Sequence, residues 1–190
     1  SVNTKVIIIA GWPGVGKTTL AKQLQKDTGY VLLNKDDLTK DVTSRLHEIL
    51  GIAPEDRESI LHTTVVRSLT HQMLYNAAHC VLDSGHSVII DTPFDQYITK
   101  KEWYSHMAEE IGCCPLILWI EIPKEQEYQQ LLSRNRAIDS WKITHFDEYY
   151  ARRQGMNYEV PSEYFVRCSN SYEELVKCIK TYQKLKGDKG

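Results

Sequence analysis

The chain has 190 residues, of which 42% are hydrophobic and 25% charged. This is enough for one core and too little for two comfortable domains, and it excludes a disordered chain. The 23 basic residues against 25 acidic ones, net −2, exclude the basic surface of a protein that coats nucleic acid, leaving open only a local basic groove.

Strand and helix patterns alternate along the chain. Lys5 to Ala10 (KVIIIA) is a β-branched run without polar alternation, as in a parallel strand covered on both faces. It is far too short to span a bilayer, and no basic stretch precedes it, so neither a membrane segment nor a secretory leader is expected. Lys17 to Lys26 sets Leu20, Ala21 and Leu24 on one helical face, with Gly29 as its C-cap. Tyr30 to Leu33 is a second strand ending at Asn34. A short helix is expected from Val42 to Leu50, then a break at Gly51 to Pro54. A long helix follows, opened by Pro54, Glu55 and Asp56, with Leu61, Val65, Leu69, Met73, Ala77 and Val81 as one apolar stripe. Gly85 ends it.

Ser87 to Ile90 forms the third strand, closed by Asp91. Thr99 to Ile111 reads as a helix with a Thr99–Glu102 capping box. Leu116 to Ile122 is the fourth strand, Lys124 to Arg134 a helix, and an Arg-rich stretch then runs to Lys142 before a helix from His145 to Gln154. Tyr164 to Cys168 is the fifth strand, and Ser171 to Lys184 an amphipathic helix with Leu175, Ile179 and Tyr182 inward. Residues 186–190 are expected to fray. The five cysteines (Cys80, Cys113, Cys114, Cys168, Cys178) are odd in number and lack CxxC spacing. Reduced thiols in a cytoplasmic protein therefore fit better than a disulfide framework or zinc knuckle, with Cys113 and Cys114 as small apolar fillers. Nor do the seven histidines show metal-ligand spacing. Five strands separated by helices give an α/β fold with a parallel sheet, which binds ligands at the carboxyl ends of its strands.

Gly11 to Thr18 (GWPGVGKT) satisfies G-x-x-x-x-G-K-[ST] and lies between a strand and a helix, where that motif has its mechanism. Gly14 and Gly16 let successive N–H groups turn inward as an anion nest, joined by the positive end of the following helix. Gly11, Gly14, Val15, Gly16, Lys17, Thr18 and Thr19 are thus the expected nucleotide-binding residues. Lys17 would reach the β and γ phosphates, and the Thr18 hydroxyl would take one Mg²⁺ position. Trp12 and Pro13 read as packing elements.

Asn34-Lys35-Asp36-Asp37 contains an NKxD pattern, the guanine-reading motif of GTPases. There it follows a near-terminal strand, and this chain has no DxxG, so a GTPase switch is rejected. Asp36 and Asp37 instead follow strand two, on the same sheet edge as the phosphate loop. With the loop, Asp91 and the Arg-rich segment, this order resembles the small P-loop kinases: the shikimate and gluconate kinase group, chloramphenicol phosphotransferase and the kinase domain of phage polynucleotide kinase. The resemblance implies a P-loop NTPase fold of three layers, α/β/α, over a five-stranded parallel sheet. It implies one kinase domain over residues 1–190, a helical acceptor-binding insert at about 37–85 and a lid at about 134–145. It also implies that Asp36 or Asp37 takes the proton of the acceptor hydroxyl, Asp36 being aligned with the base of the polynucleotide kinase pattern. That pattern has an arginine three residues beyond its aspartate, where this chain has Thr39, which argues against a nucleic-acid acceptor.

Asp91 closes a four-residue apolar strand, as a Walker B acid holding Mg²⁺ through water does; in the resembling kinases the same place can touch the acceptor. Thr92 and Phe94 would line the acceptor pocket. Arg134 and Arg136 are the expected lid cations that offset charge on the transferred phosphoryl and exclude water; Arg152 and Arg153 come second. Asn170 and Ser171 are expected near the adenine. Arg45, Arg57, Arg67, His62, His71 and Tyr75 suit a polar acceptor such as an antibiotic, sugar or metabolite alcohol. The expected activity is ATP- and Mg²⁺-dependent phosphoryl transfer to a hydroxyl of a small molecule. A 5′-hydroxyl polynucleotide kinase and a non-catalytic ATP-binding regulatory module are the other readings.

Overall fold

A computed structural model describes residues 4–187. Five parallel strands, β1 (Val6–Gly11), β2 (Val31–Asn34), β3 (Val88–Asp91), β4 (Leu116–Ile120) and β5 (Phe165–Cys168), form one sheet in the order β2-β3-β1-β4-β5. β1, β3 and β4 are buried at every position, which is why they read as unbroken apolar runs. Helices α1 (Lys17–Thr28), α2 (Lys35–Leu50), α3 (Arg67–Asp83), α4 (Trp103–Ile111), α5 (Lys124–Arg134), α6 (Ser140–Thr144), α7 (Phe146–Ala151) and α8 (Tyr172–Leu185) complete the fold. No helix of the described residues is long and apolar enough to cross a membrane.

The sheet register assembles the functional edge. Ile9 pairs with Asp91, and Asn34 also pairs with Asp91. The ends of β1, β2 and β3 therefore finish level, and the chain leaves each of them on the same side of the sheet. Gly11 makes the tightest of these exits. It has φ +146°, and a Cβ there would stand 2.6 Å from the main-chain oxygen of Ile120 on β4. Gly11→Ala is expected to lose about 2–3 kcal/mol of stability through strain and backbone collision, read as a lowered midpoint in urea denaturation.

Several expectations are corrected. α2 begins at Lys35, not Val42, because Asn34 caps it by accepting from the Asp37 N–H. The next helix begins near residue 60, not at Pro54, and passes through a π turn, His62–Val66, before α3. The four-residue stripe is not the inward face: Leu61, Val65 and Leu69 are exposed, while His62, Val66, Thr70, His71, Leu74, Tyr75 and Ala78 are buried. A strict repeat of four drifts by about 40° per step on a helix of 3.6 residues per turn, so it cannot follow one face for five turns.

α4 starts at Trp103, since Glu102 at φ +65° interrupts any helix from Thr99, and Thr99 lies in a turn. The Arg-rich stretch contains a 3-10 turn, Ala137–Asp139, and α6, and the helix expected from His145 to Gln154 is α7, ending at Ala151. Cys114 is exposed and Cys113 half-buried, so neither fills the core. On α8, Leu175, Ile179 and Gln183 are buried and Tyr182 only partly. Of the frayed segment expected at 186–190, residues 188–190 lie outside the described residues, and Lys186 pairs with Glu163 at 2.7 Å.

Candidate active site

The loop between β1 and α1 forms one wall of a cavity of about 540 Å³ over the carboxyl edge of the sheet. Gly14 and Gly16 have φ +86° and +100°. A Cβ on Gly14 would meet the Leu131 side chain of α5 at 2.9 Å, so this glycine is needed for close packing as well as for the turn. α1 starts without a side-chain cap and with no acid in its first turn, unlike α2 and α8, which are capped by Asn34 and Ser171. Its first N–H groups and its positive dipole end thus stay available to an anion.

Lys17 is buried, and its ammonium donates to the main-chain oxygen of Trp12 at 2.9 Å. Burial lowers its pKa to about 8, partly offset by Asp91, Asp95 and Asp36, while Arg134 pushes the same way as burial. Trp12 is itself packed edge-on against Trp119 and Tyr149, with the Arg153 guanidinium 3.9 Å from its ring centre. The carbonyl that parks Lys17 is thereby held by a buried aromatic cluster.

Beside the loop, Asp91 Oδ2 accepts from the Thr18 hydroxyl and from Asn34 Nδ2, both at 2.8 Å. This follows from register: Asn34 and Asp91 are strand partners, and α1 carries Thr18 over them. Among the described residues no group of three or more His, Cys, Asp or Glu is placed to hold a metal. The Thr18 hydroxyl and the Asp91 carboxylate form a two-oxygen donor set, which fits Mg²⁺ bound through one or two protein oxygens with waters and phosphates completing the shell.

Asp36 and Asp37 occupy the exposed first turn of α2, and both line the cavity. The Lys35 ammonium lies 3.7 Å from an Asp36 oxygen. Beyond Asp36, Lys35, Arg57 and Arg67 line the cavity together with His62, His71 and Tyr97. The described residues contain no carboxylate within salt-bridge distance of Arg57 or Arg67. Both guanidiniums rest instead on main-chain oxygens, of Pro54 and Asp56 for Arg57 and of Arg57 itself for Arg67.

The opposite wall comes from α5 to α7. Arg134 forms a two-pronged bond to Asp139, whose carboxylate is buried, with Nη2 2.6 Å from Oδ1. Arg136 is exposed at the cavity edge. Lys142 and Arg152 approach Glu58, which lies between β2 and β3, at 3.5 and 3.8 Å, so the two walls touch across the opening.

A family model for an AAA domain matches residues 6–159. The chain belongs to that family. With its relatives it stands among the small P-loop kinases. It is 23% identical over 186 residues to a shikimate kinase of Clostridium botulinum (strain Okra / Type B1), covering 95% of this chain and 98% of that one. In fold it is similar to a sugar kinase from Janibacter sp. HTCC2649 (TM-score 0.65, 17% identity, 96% and 95% of the two chains covered). It is likewise similar to a gluconokinase from Sinorhizobium meliloti 1021 (TM-score 0.56, 10% identity, 96% and 93% covered).

For this AAA-domain chain the structure gathers Gly14, Gly16, Lys17, Thr18, Thr19, Asp36, Asp37, Asp91, Arg134 and Arg136 around one cavity. It does not bring Gly11 or Val15 to the cavity: the Gly11 N–H is spent on Pro93 O at 3.1 Å, and Val15 is buried in the core. Arg153 does not line the cavity: Glu127, itself buried, binds it through two hydrogen bonds of 2.8 and 2.9 Å. Arg45 pairs with Glu48 on the outer face of α2, and buried Tyr75 accepts from the Trp103 indole, so neither lines the cavity. Asn170 stands beside the loop, 3.5 Å from Val15 O, and Ser171 caps α8.

Lys35, Glu58 and Asp95 were missed. Lys35 sits inside the tetrapeptide read for its aspartates, and Asp95 lies four residues past Asp91 in DTPFD, a spacing that only the bend at Phe94 (φ +56°) makes meaningful.

Proposed function

We propose that this chain transfers the γ-phosphoryl group of ATP to a hydroxyl of a small, negatively charged acceptor. The observation that carries the acceptor assignment is the convergence of Lys35, Arg57 and Arg67 beyond Asp36, a cationic recess whose exposed carboxylates, Asp36, Asp37 and Glu58, line the same cavity without pairing with either guanidinium. A guanidinium pair of this kind recognises a carboxylate or phosphate. The names of the shikimate and gluconate kinases among the relatives favour a hydroxy acid over an antibiotic or a neutral sugar.

In this reading the polyphosphate lies across the α1 N-terminus, and Lys17 leaves Trp12 O for the β and γ phosphates. Asp36 orients the acceptor hydroxyl and takes its proton as the phosphoryl group transfers, leaving ADP. Thr18 and Asp91 would hold Mg²⁺, which would supply positive charge to offset that of the phosphates. Arg134, kept in place by Asp139, faces the developing charge. Glu58, Lys142 and Arg152 draw lid and insert together to exclude water that would otherwise accept the phosphoryl group.

The test is transfer from labelled ATP to shikimate, D-gluconate, neutral sugars and 5′-hydroxyl oligonucleotides. Hydroxy acids should be turned over. Turnover of oligonucleotides alone, falling steeply with salt, would instead establish the polynucleotide reading. Arg134→Ala is expected to reduce kcat about ten- to a hundredfold with a smaller change in ATP affinity, read by steady-state kinetics beside direct ATP titration.

ATP binding should also depend on pH. Lys17 has its pKa lowered to about 8 in the free protein. Below that pH the cation is already present and contributes no pH dependence. Above it, binding must take up a proton, so the Kd for ATP rises by up to about tenfold per pH unit. Titration between pH 7 and 10 checks this, and the rise should vanish in Lys17→Met.

A further inference from the structure

Of three buried histidines, two are linked by their ring nitrogens and the third is tied to a main-chain oxygen, in a way that no motif records. His47 lies on α2, His62 in the π turn and His71 on α3. His47 Nδ1 lies 2.9 Å from the main-chain oxygen of Ala53. That oxygen can only accept, so this nitrogen carries a proton. With His47 as an uncharged imidazole, its Nε2 is a bare lone pair, and it faces His62 Nδ1 at 2.8 Å. His62 Nδ1 is then the donor, and its Nε2 is left bare. His71 reaches the same state directly, because its Nδ1 lies 2.8 Å from Arg67 O. Neither bare Nε2 has a hydrogen-bond partner among the described residues.

Both rings line the cavity beside Lys35, Arg57 and Arg67. Burial lowers both pKa values to about 3, helped by Arg57, Arg67 and Lys35 at His62 and by Lys35 and Arg67 at His71, where the bond to Arg67 O works the other way. At neutral pH each ring is therefore an acceptor set among fixed positive charges. A ligand that satisfies both features donates hydroxyls to the imidazoles and presents an anionic group to the guanidiniums; a cationic ligand is repelled.

We infer that His62 and His71 are specificity-determining residues, whose bare Nε2 atoms accept hydrogen bonds from non-reacting hydroxyls of a polyhydroxylated acid. His47 is a positioning residue that fixes the tautomer of His62. The ligand half deepens the kinase reading and rests on it, whereas the tautomers do not.

The experiment is two-bond ¹H–¹⁵N correlation on the full chain labelled with ¹⁵N-imidazole histidine, at pH 7.5, then titrated with D-gluconate in the presence of ADP. His47, His62 and His71 should each carry the proton on Nδ1, the less common tautomer of free histidine. Gluconate should move the Nε2 resonances of His62 and His71. A proton on Nε2 of His62, or a doubly protonated His47, overturns the relay. Absence of gluconate binding at 50 mM (about a hundredfold above an ordinary substrate KM), or binding that leaves both resonances still, overturns the ligand half. Expected tautomers with no phosphorylated product in the transfer screen would leave the relay standing and remove the kinase reading instead. His47→Phe keeps an aromatic ring against His62, the two rings now 5.0 Å apart, but removes the lone pair. His62 should then revert to the Nε2–H form, with gluconate affinity about tenfold weaker. A His62 that keeps its bare Nε2 in this variant refutes the positioning role, and the wild-type spectrum decides the tautomer whether or not the variant folds.

Discussion

Lys17→Met should lower phosphoryl transfer by about a thousandfold, the loss expected when a preorganised charge aimed at a transition state is removed from a shielded site. The structure gives this ammonium no stabilising task elsewhere. It is buried, its carboxylate neighbours act at a distance, and among the described residues its one hydrogen bond is to the Trp12 carbonyl. Methionine has nearly the same length and no desolvation penalty, so the folded state should be at least as stable as the parent. The loss of activity would then come with an unchanged or raised Tm, which separates a functional lysine from a structural one. ATP affinity should fall as well, because Lys17 meets the phosphates in the ground state too. Normal turnover in the Lys17→Met variant would remove the phosphate-binding assignment and with it the kinase reading.

The parts of this molecule that could be read from its residues are those governed by local pattern. β1, β3 and β4 are legible because a parallel strand buried on both faces needs an apolar run, as in VIIIAG, VIID and LILWI, whereas the half-buried β2 and β5 are legible as short apolar runs between helices. The phosphate loop was legible because its mechanism needs glycine at two positive-φ positions and lysine at the helix start. Asp91 was legible as the acid that closes an apolar strand, and its contact with Thr18 follows from register.

The segment between β2 and β3 and the stretch from α5 to α7 were less legible, since contacts between residues far apart in sequence shape them. Glu58 meets Lys142 and Arg152, Arg153 reaches back to Glu127, and His47 meets His62. None of these pairs repeats at a helical or strand period. The inward face of α3 departs from the apolar stripe for a related reason: it turns His71 to the cavity and Tyr75 to the Phe94–Trp103 aromatic group beside Leu74 and Ala78, while Leu69 is exposed. Hydrophobicity marks the inward face of a helix only where the inside is a core. Where the inside is a ligand recess, polar residues turn inward.

Asp36→Asn should reduce transfer by about two to four orders of magnitude while leaving ATP affinity within about twofold, the pattern of a lost general base. Asp36 and Asp37 are adjacent on the first turn of α2, and both line the cavity, yet their surroundings differ. The Asp37 N–H is the one tied to the Asn34 cap. Asp36 is the carboxylate whose field reaches Lys17, and its oxygen lies 3.7 Å from the Lys35 ammonium. A base between the phosphate-binding lysine and the cationic recess is placed to touch an acceptor that spans both. Asp37→Asn should therefore cost about tenfold or less, through the helix N-terminus and local charge. The reverse order, with Asp37→Asn the more severe, would move the base by one residue and keep the mechanism. Loss of ATP binding in Asp36→Asn would make this carboxylate part of the metal site. If the double variant keeps full transfer activity, neither carboxylate is the base; if the parent chain itself phosphorylates no acceptor while binding ATP, it is an ATP-binding module that closes over nucleotide without phosphoryl transfer.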